Sequence, residues 1–195
     1  TGRRYRITVL TGTVADVTAA QALGADERGL TVTADADGAW EIAVEELDSA
    51  RQPYRSSAAF SEVTAAAQRS FAEFVDAVAP WRTPATPAAE LAAYGVWSAT
   101  VRPAGLVTRP AVLMSKHWMD KVWSWDHCFN ALALIGGDPA FAIDQFLTPF
   151  DHREASGAMP DSVTHSEVLY TFVKPPIHGW ALAKLRERAE LDRET

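Results

Sequence analysis

Cysteine is nearly absent: Cys128 is the only one in 195 residues, so the sequence allows no intrachain disulfide and no cysteine-based metal cluster. That usage fits a reducing, cytoplasmic setting. Long apolar runs are missing as well. None approaches the ~20 residues needed to span a bilayer, and Ile7–Leu10, which follows the basic start, is too short for a signal peptide. No membrane partner is expected. Basic charge is in short supply, with a net charge of −7 and a pI near 5.2. This argues against nucleic acid, whose phosphates need a basic face. His117, His127, His152, His165 and His178 include no His-x-x-x-His pair, and there is neither a Gly-x-Ser-x-Gly elbow nor a Gly-rich phosphate loop. Asp151-His152 with His165 invites a catalytic dyad, but without supporting motifs. Metal and nucleophile readings are therefore poor, and no cofactor is expected.

What is present reads as globular, with 48% apolar and 22% charged residues, enough chain for one large domain or two small ones. Residues 4–10 alternate, with Tyr5, Ile7 and Val9 on one face, predicting a half-buried strand. Thr31–Asp35, the turn Ala36-Asp-Gly38 and Ala39–Val44 predict a β-hairpin. Thr13–Asp26 is Ala-rich and reads as loop or short helix. A sheet this small is marginal alone. It is expected to end a larger β-sandwich or to lean on the helices that follow.

From Ser56 the period changes. Phe60, Val63, Ala67, Phe71, Phe74 and Val78 step by 3, 4, 4, 3 and 4, the stripe of a long amphipathic helix. The boundary falls at Asp48–Pro53, dividing the chain into 1–50 and 51–195. Pro87 suits the start of a second helix, Ala88–Thr100, burying Leu91, Tyr94 and Trp97. Arg102–Asp120 runs irregularly. A third helix spans Trp125–Ile135 and stops at Gly136-Gly137; Asp138-Pro139 caps and begins a fourth, to about Leu147. Pro149–Thr164 is a second long loop, a short helix starts at Ser166, and a last helix runs to about Leu191.

The densest chemistry lies in Lys116–Ala131, which packs three tryptophans, two aspartates, two lysines and two histidines into sixteen residues. Flat aromatic faces beside carboxylates suit a concave site for a polar, ring-shaped ligand: the rings stack on sugar C–H groups and the carboxylates accept from hydroxyls. A helix start with packing tryptophans explains the same residues equally well.

Trp123-Ser-Trp-Asp-His-Cys-Phe-Asn-Ala-Leu132, Gly137-Asp-Pro139, Ala142-Ile-Asp-Gln-Phe146, Gly157-Ala-Met-Pro-Asp161 and Lys174-Pro-Pro-Ile-His-Gly-Trp-Ala181 follow one another in an order that resembles glycoside hydrolase family 63. The resemblance covers roughly residues 95–185 well and the earlier part only in layout. It implies a mostly α fold: part of an (α/α)6 toroid, its first five or so helices in 51–195, preceded by the tail of a β-sandwich in 1–50. Five helices do not close such a ring, so the resemblance implies part of an enzyme, associating with the remainder of that enzyme or with itself.

The implied function is a segment of an inverting α-glycosidase acting on an α-glucoside or related small glycoside. Such hydrolysis uses two carboxyls about 6.5–9.5 Å apart. The family carries both on later helices, so no catalytic residue is assigned here. The implied substrate-binding residues are Asp126, accepting from sugar hydroxyls, with Trp123 and Trp125 walling the same subsite. Asn130, at i+4 from Asp126, either supports it or is structural. Asp161 lines the pocket or sits in a Pro-Asp turn. Lys174 reaches an anionic aglycone or stays solvated. His127 reads as a satisfied buried histidine and Cys128 as a small hydrophobe. A non-catalytic carbohydrate-binding or helical scaffold module is the alternative.

Overall fold

A computed structural model describes residues 4–19, 28–47, 58–115, 119–172 and 174–191. The chain divides into two compact units, Thr1–Ala65 and Ala66–Thr195. The expected boundary at Asp48–Pro53 lies outside the described residues.

The described residues of the first unit form four strands, β1 (Arg4–Thr11), β2 (Thr13–Ala19), β3 (Arg28–Thr33) and β4 (Glu41–Leu47). They form two separate antiparallel ribbons. β1 pairs with β4 in the register Ile7↔Val44, and β2 with β3 in the register Val17↔Leu30. Between β1 and β2 the chain turns at Gly12, whose φ of +93° suits glycine alone, since a Cβ there would also press on Thr33 O. The Asp-Gly turn exists, with Gly38 at φ +76°, but the predicted hairpin does not. Asp35 organises the connection for itself, its carboxylate accepting from Asp37 N at 3.0 Å and Ala39 N at 2.9 Å. The strands on either side then pair elsewhere. Thr13–Ala19 is strand and not helix, because Thr13, Val14, Val17 and Thr18 are β-branched. Tyr5 and Ile7 are exposed, not half-buried.

The second unit contains most of α1 (Phe60–Val78), then α2 (Ala88–Ala99), β5 (Thr100–Val101), β6 (Ala111–Val112), β7 (Val122–Trp123), α3 (Asp126–Leu134), α4 (Pro139–Leu147), a 3-10 turn at Phe150–His152, β8 (Ser162–Val163), β9 (Val168–Leu169) and α5 (His178–Arg186). β5 pairs with β6, and β7, β8 and β9 form a three-stranded sheet in that order. The main core joins Val75 and Val78 of α1, Ala131 and Leu134 of α3, Ala142 and Phe146 of α4, and Ala181 and Leu185 of α5. Local signals set the α3–α4 corner. Gly137 N and Asp138 N both donate to Leu134 O, Asp138 accepts from Phe141 N at 3.0 Å, and Pro139 opens α4. Gly137 lies against the Ala77–Val78 backbone so closely that a Cβ has no room.

The expected mostly α toroid is contradicted. Among the described residues, five helices and nine strands in small antiparallel sheets, 38% helix and 22% strand, make an α+β arrangement. β6 and β8 fall in segments expected to be loops. Two residues are too few to show an alternating pattern, so only the pairing partner reveals them. The predicted helix from Ser166 is replaced by β9, and the last helix ends at Arg186, short of Leu191. α2 also turns the other way: Ala89 and Ala93 are buried while Leu91 is 72% exposed. No described helix is long and apolar enough to cross a membrane.

Candidate functional site

β-Pairing brings the two motif segments together. Trp123 of β7 pairs with Ser162 of β8, and Ser124 N donates to Asp161 O at 3.1 Å. Asp161 is itself tied to β9 by its N–H, 2.6 Å from Leu169 O. Two residues past Ser124, Asp126 opens α3, and the negative charge of Asp161 acts on its carboxyl. A third segment joins at the same point. His178 Nε2 lies 3.2 Å from Ser124 O, which draws in the start of α5 and the Lys174-Pro-Pro stretch before it.

Lys174 closes the cluster. Its Nζ is 3.1 Å from Asp161 Oδ1 and 4.8 Å from the centroid of the Trp123 ring. A second ammonium, that of Lys121, lies 5.8 Å from the same ring and 3.8 Å from Glu167 Oε2. Lys174 holds Asp161 by charge and not by alignment, for Oδ1 is buried without a hydrogen bond. Burial raises the Asp126 carboxyl above the ordinary aspartate value, and the negative charge of Asp161 adds to the rise. The Asp126 backbone, the Lys174 charge and a hydrogen bond from the Trp125 side chain pull the other way. Trp125 continues into a row of rings, edge-on to Phe129 at 5.9 Å, with Trp180 a further 6.1 Å on.

Behind this surface the residues are locked or inert. His127 is fully buried, and burial lowers its pKa to about 4, so the ring is neutral near pH 7. Nδ1 lies 3.1 Å from Trp123 O; a carbonyl only accepts, so Nδ1 carries the proton and Nε2 is a bare lone pair. That Nε2, Asp161 Oδ1 and Ser162 Oγ are buried polar atoms without a hydrogen-bond partner among the described residues. Burial pushes the Cys128 thiol up to about 12, which suits packing and not nucleophilic attack.

Trp123, Trp125, Asp126, Asp161 and Lys174, read from scattered motifs, thus meet. Asn130 does not join them: its Nδ2 donates to Val112 O at 3.4 Å and lies 3.6 Å from Met114 Sδ. His117 and Trp118 lie outside the described residues. Lys174 is ion-paired to Asp161 while its side chain stays 26% exposed, a contact that carried no local signal. Asp151 and His152 form no dyad. Asp151 receives Arg109 Nε at 2.8 Å and Thr108 Oγ1 at 2.6 Å, and His152 Nε2 meets Leu106 O at 2.6 Å. These contacts, missed in the sequence, pin the 102–110 loop. Among the described residues no three His, Cys, Asp or Glu side chains converge as metal ligands.

No family profile, curated protein or solved structure matches this chain. Function is therefore read from the site's own chemistry. Cavities of about 560 Å³ beside Arg186 and Leu191 and about 470 Å³ along Leu91, Tyr94 and Met114 lie away from Asp126. They hold no comparable convergence of charge and indole, so we place the candidate site at the Trp123–Asp126–Asp161–Lys174 cluster.

Proposed function

We propose that this cluster binds a small saccharide or glycoside and serves an inverting α-glycosidase acting on an α-glucoside or related substrate. The observation that carries the reading is the convergence of Asp126 and Asp161 beside the Trp123 ring, with Lys174 between them in charge. Asp126 accepts hydrogen bonds from ring hydroxyls, and Trp125 supplies an aromatic face for C–H stacking. The glycosidase part rests on the motif resemblance to family 63. Neither aspartate is assigned as acid or base, since Asp161 is ion-paired to Lys174 and side-chain burial leaves it 2% exposed. That same ion pair favours, as a second reading, a saccharide-binding surface without hydrolysis.

The test is a panel of glucosylglycerate, mannosylglycerate, kojibiose, nigerose and maltose, with hydrolysis and the anomer first released followed by NMR. Hydrolysis with inversion, lost in Asp126→Asn while the fold persists, is the expected result. Full turnover in that variant sinks the role of Asp126. Binding without hydrolysis, weakened roughly tenfold to a hundredfold by Asp126→Asn, selects the second reading. Neither binding nor hydrolysis of any member, with no response to glucosamine either, overturns both.

A further inference from the structure

Stacking on Trp123 needs a free indole face, and the chain has already placed a cation over that ring. The Lys174 ammonium sits 4.8 Å from the ring centroid and 3.1 Å from Asp161 Oδ1. An indole face next to carboxylates is recognition chemistry for a primary ammonium: the ring quadrupole attracts the cation, and the carboxylates take its N–H groups. Asp161, though ion-paired to Lys174, remains an imperfectly satisfied acceptor. Its side chain is 2% exposed, yet Oδ1 accepts no hydrogen bond. A buried acceptor in that condition favours any donor that reaches it in better alignment.

Lys174 is suited to leaving. Its side chain is 26% exposed, and a four-carbon stem lets the head swing into water without moving the backbone, which Pro175 and Pro176 stiffen. What replaces it is constrained by charge. A neutral hydroxyl entering in its stead would leave Asp126 and Asp161 together in a half-buried corner without their cation, a costly arrangement. A ligand that brings its own ammonium restores the balance. Lys121, the other ammonium near the ring, is held toward Glu167.

We infer that the Trp123–Asp126–Asp161 corner is a primary-ammonium site, filled by the chain's own Lys174, and that the saccharides it selects carry an amino group that displaces this lysine. The ammonium site stands on the contacts alone; the choice of an amino sugar rests on the saccharide reading above.

The experiment follows the Trp123 indole N–H resonance of the whole chain, assigned with Trp123→Phe, in wild type and Lys174→Ala. n-Butylammonium chloride is expected to shift it in Lys174→Ala with an affinity at least about tenfold above that for wild type. A folded Lys174→Ala that ignores butylammonium overturns the site. Glucosamine is expected to bind wild type at least about tenfold tighter than glucose. Equal binding of the two sugars overturns the amino-sugar selectivity. Butylammonium binding with no response to either sugar overturns the saccharide reading and upholds the ammonium site. Should Lys174→Ala not fold, Asp161→Asn serves: the neutral isostere is expected to release Lys174 and shift the Trp123 resonance, and an unmoved resonance overturns the inference.

Discussion

His127 shows how a single buried ring couples the site to pH. Burial lowers its pKa from 6.5 to about 4, so on acidification the unfolded chain takes up a proton first. The stability held by the neutral ring is complete above 6.5 and is lost as pH falls through about 4, up to about 3 kcal/mol in all. Chemical denaturation across that range is expected to show the loss, and His127→Asn, which keeps a donor for Trp123 O, to flatten it. Asp126 has the opposite sign: its raised carboxyl favours the fold below 3.8, a contribution lost as pH rises through the folded value. Cys128 is 1% exposed, with a thiol pushed up to about 12. Iodoacetamide at pH near 8, where a free cysteine reacts, is expected to label it only after unfolding, and rapid labelling of the native chain would refute the packing role.

Elements divide by whether their cause is local. The α3–α4 corner was legible because its devices sit within a few residues: glycines to stop one helix, then Asp138 and Pro139 to start the next. Asp138→Ala is expected to cost about 1 kcal/mol in thermal or denaturant unfolding. Gly137→Ala is expected to cost more, about 1–3 kcal/mol, because the added methyl meets the Ala77–Val78 backbone and not a movable side chain. A neutral Gly137→Ala would show that this corner yields easily. α2 was legible as a helix but not in its orientation. Its alanines at 89 and 93 allow close approach to the core, so the larger Leu91 and Tyr94 face outward. Periodicity finds a face, and packing chooses which one is buried.

Over the whole molecule, exposed apolar side chains are numerous, among them Leu91, Phe129, Phe172 and Trp180. Such surface drives association. Sedimentation velocity is expected to show species that grow with concentration; a single compact monomer across the range would contradict this. The candidate site was legible in its residue types, because Trp123, Trp125 and Asp126 are neighbours in the chain and Asp161 and Lys174 stand in motifs of their own. Its wiring was not. The sequence by itself determined α1, α3, α4, the Asp138 cap and the aromatic–acidic segment, since helical hydrogen bonds and caps close within three or four residues. Tertiary structure alone decided that β1 pairs with β4, that two-residue strands tie Trp123 to Ser162, and that Lys174 stands between Asp161 and an indole. Those outcomes depend on which distant segments come into register, and neither the period nor the composition of a short stretch records its partner.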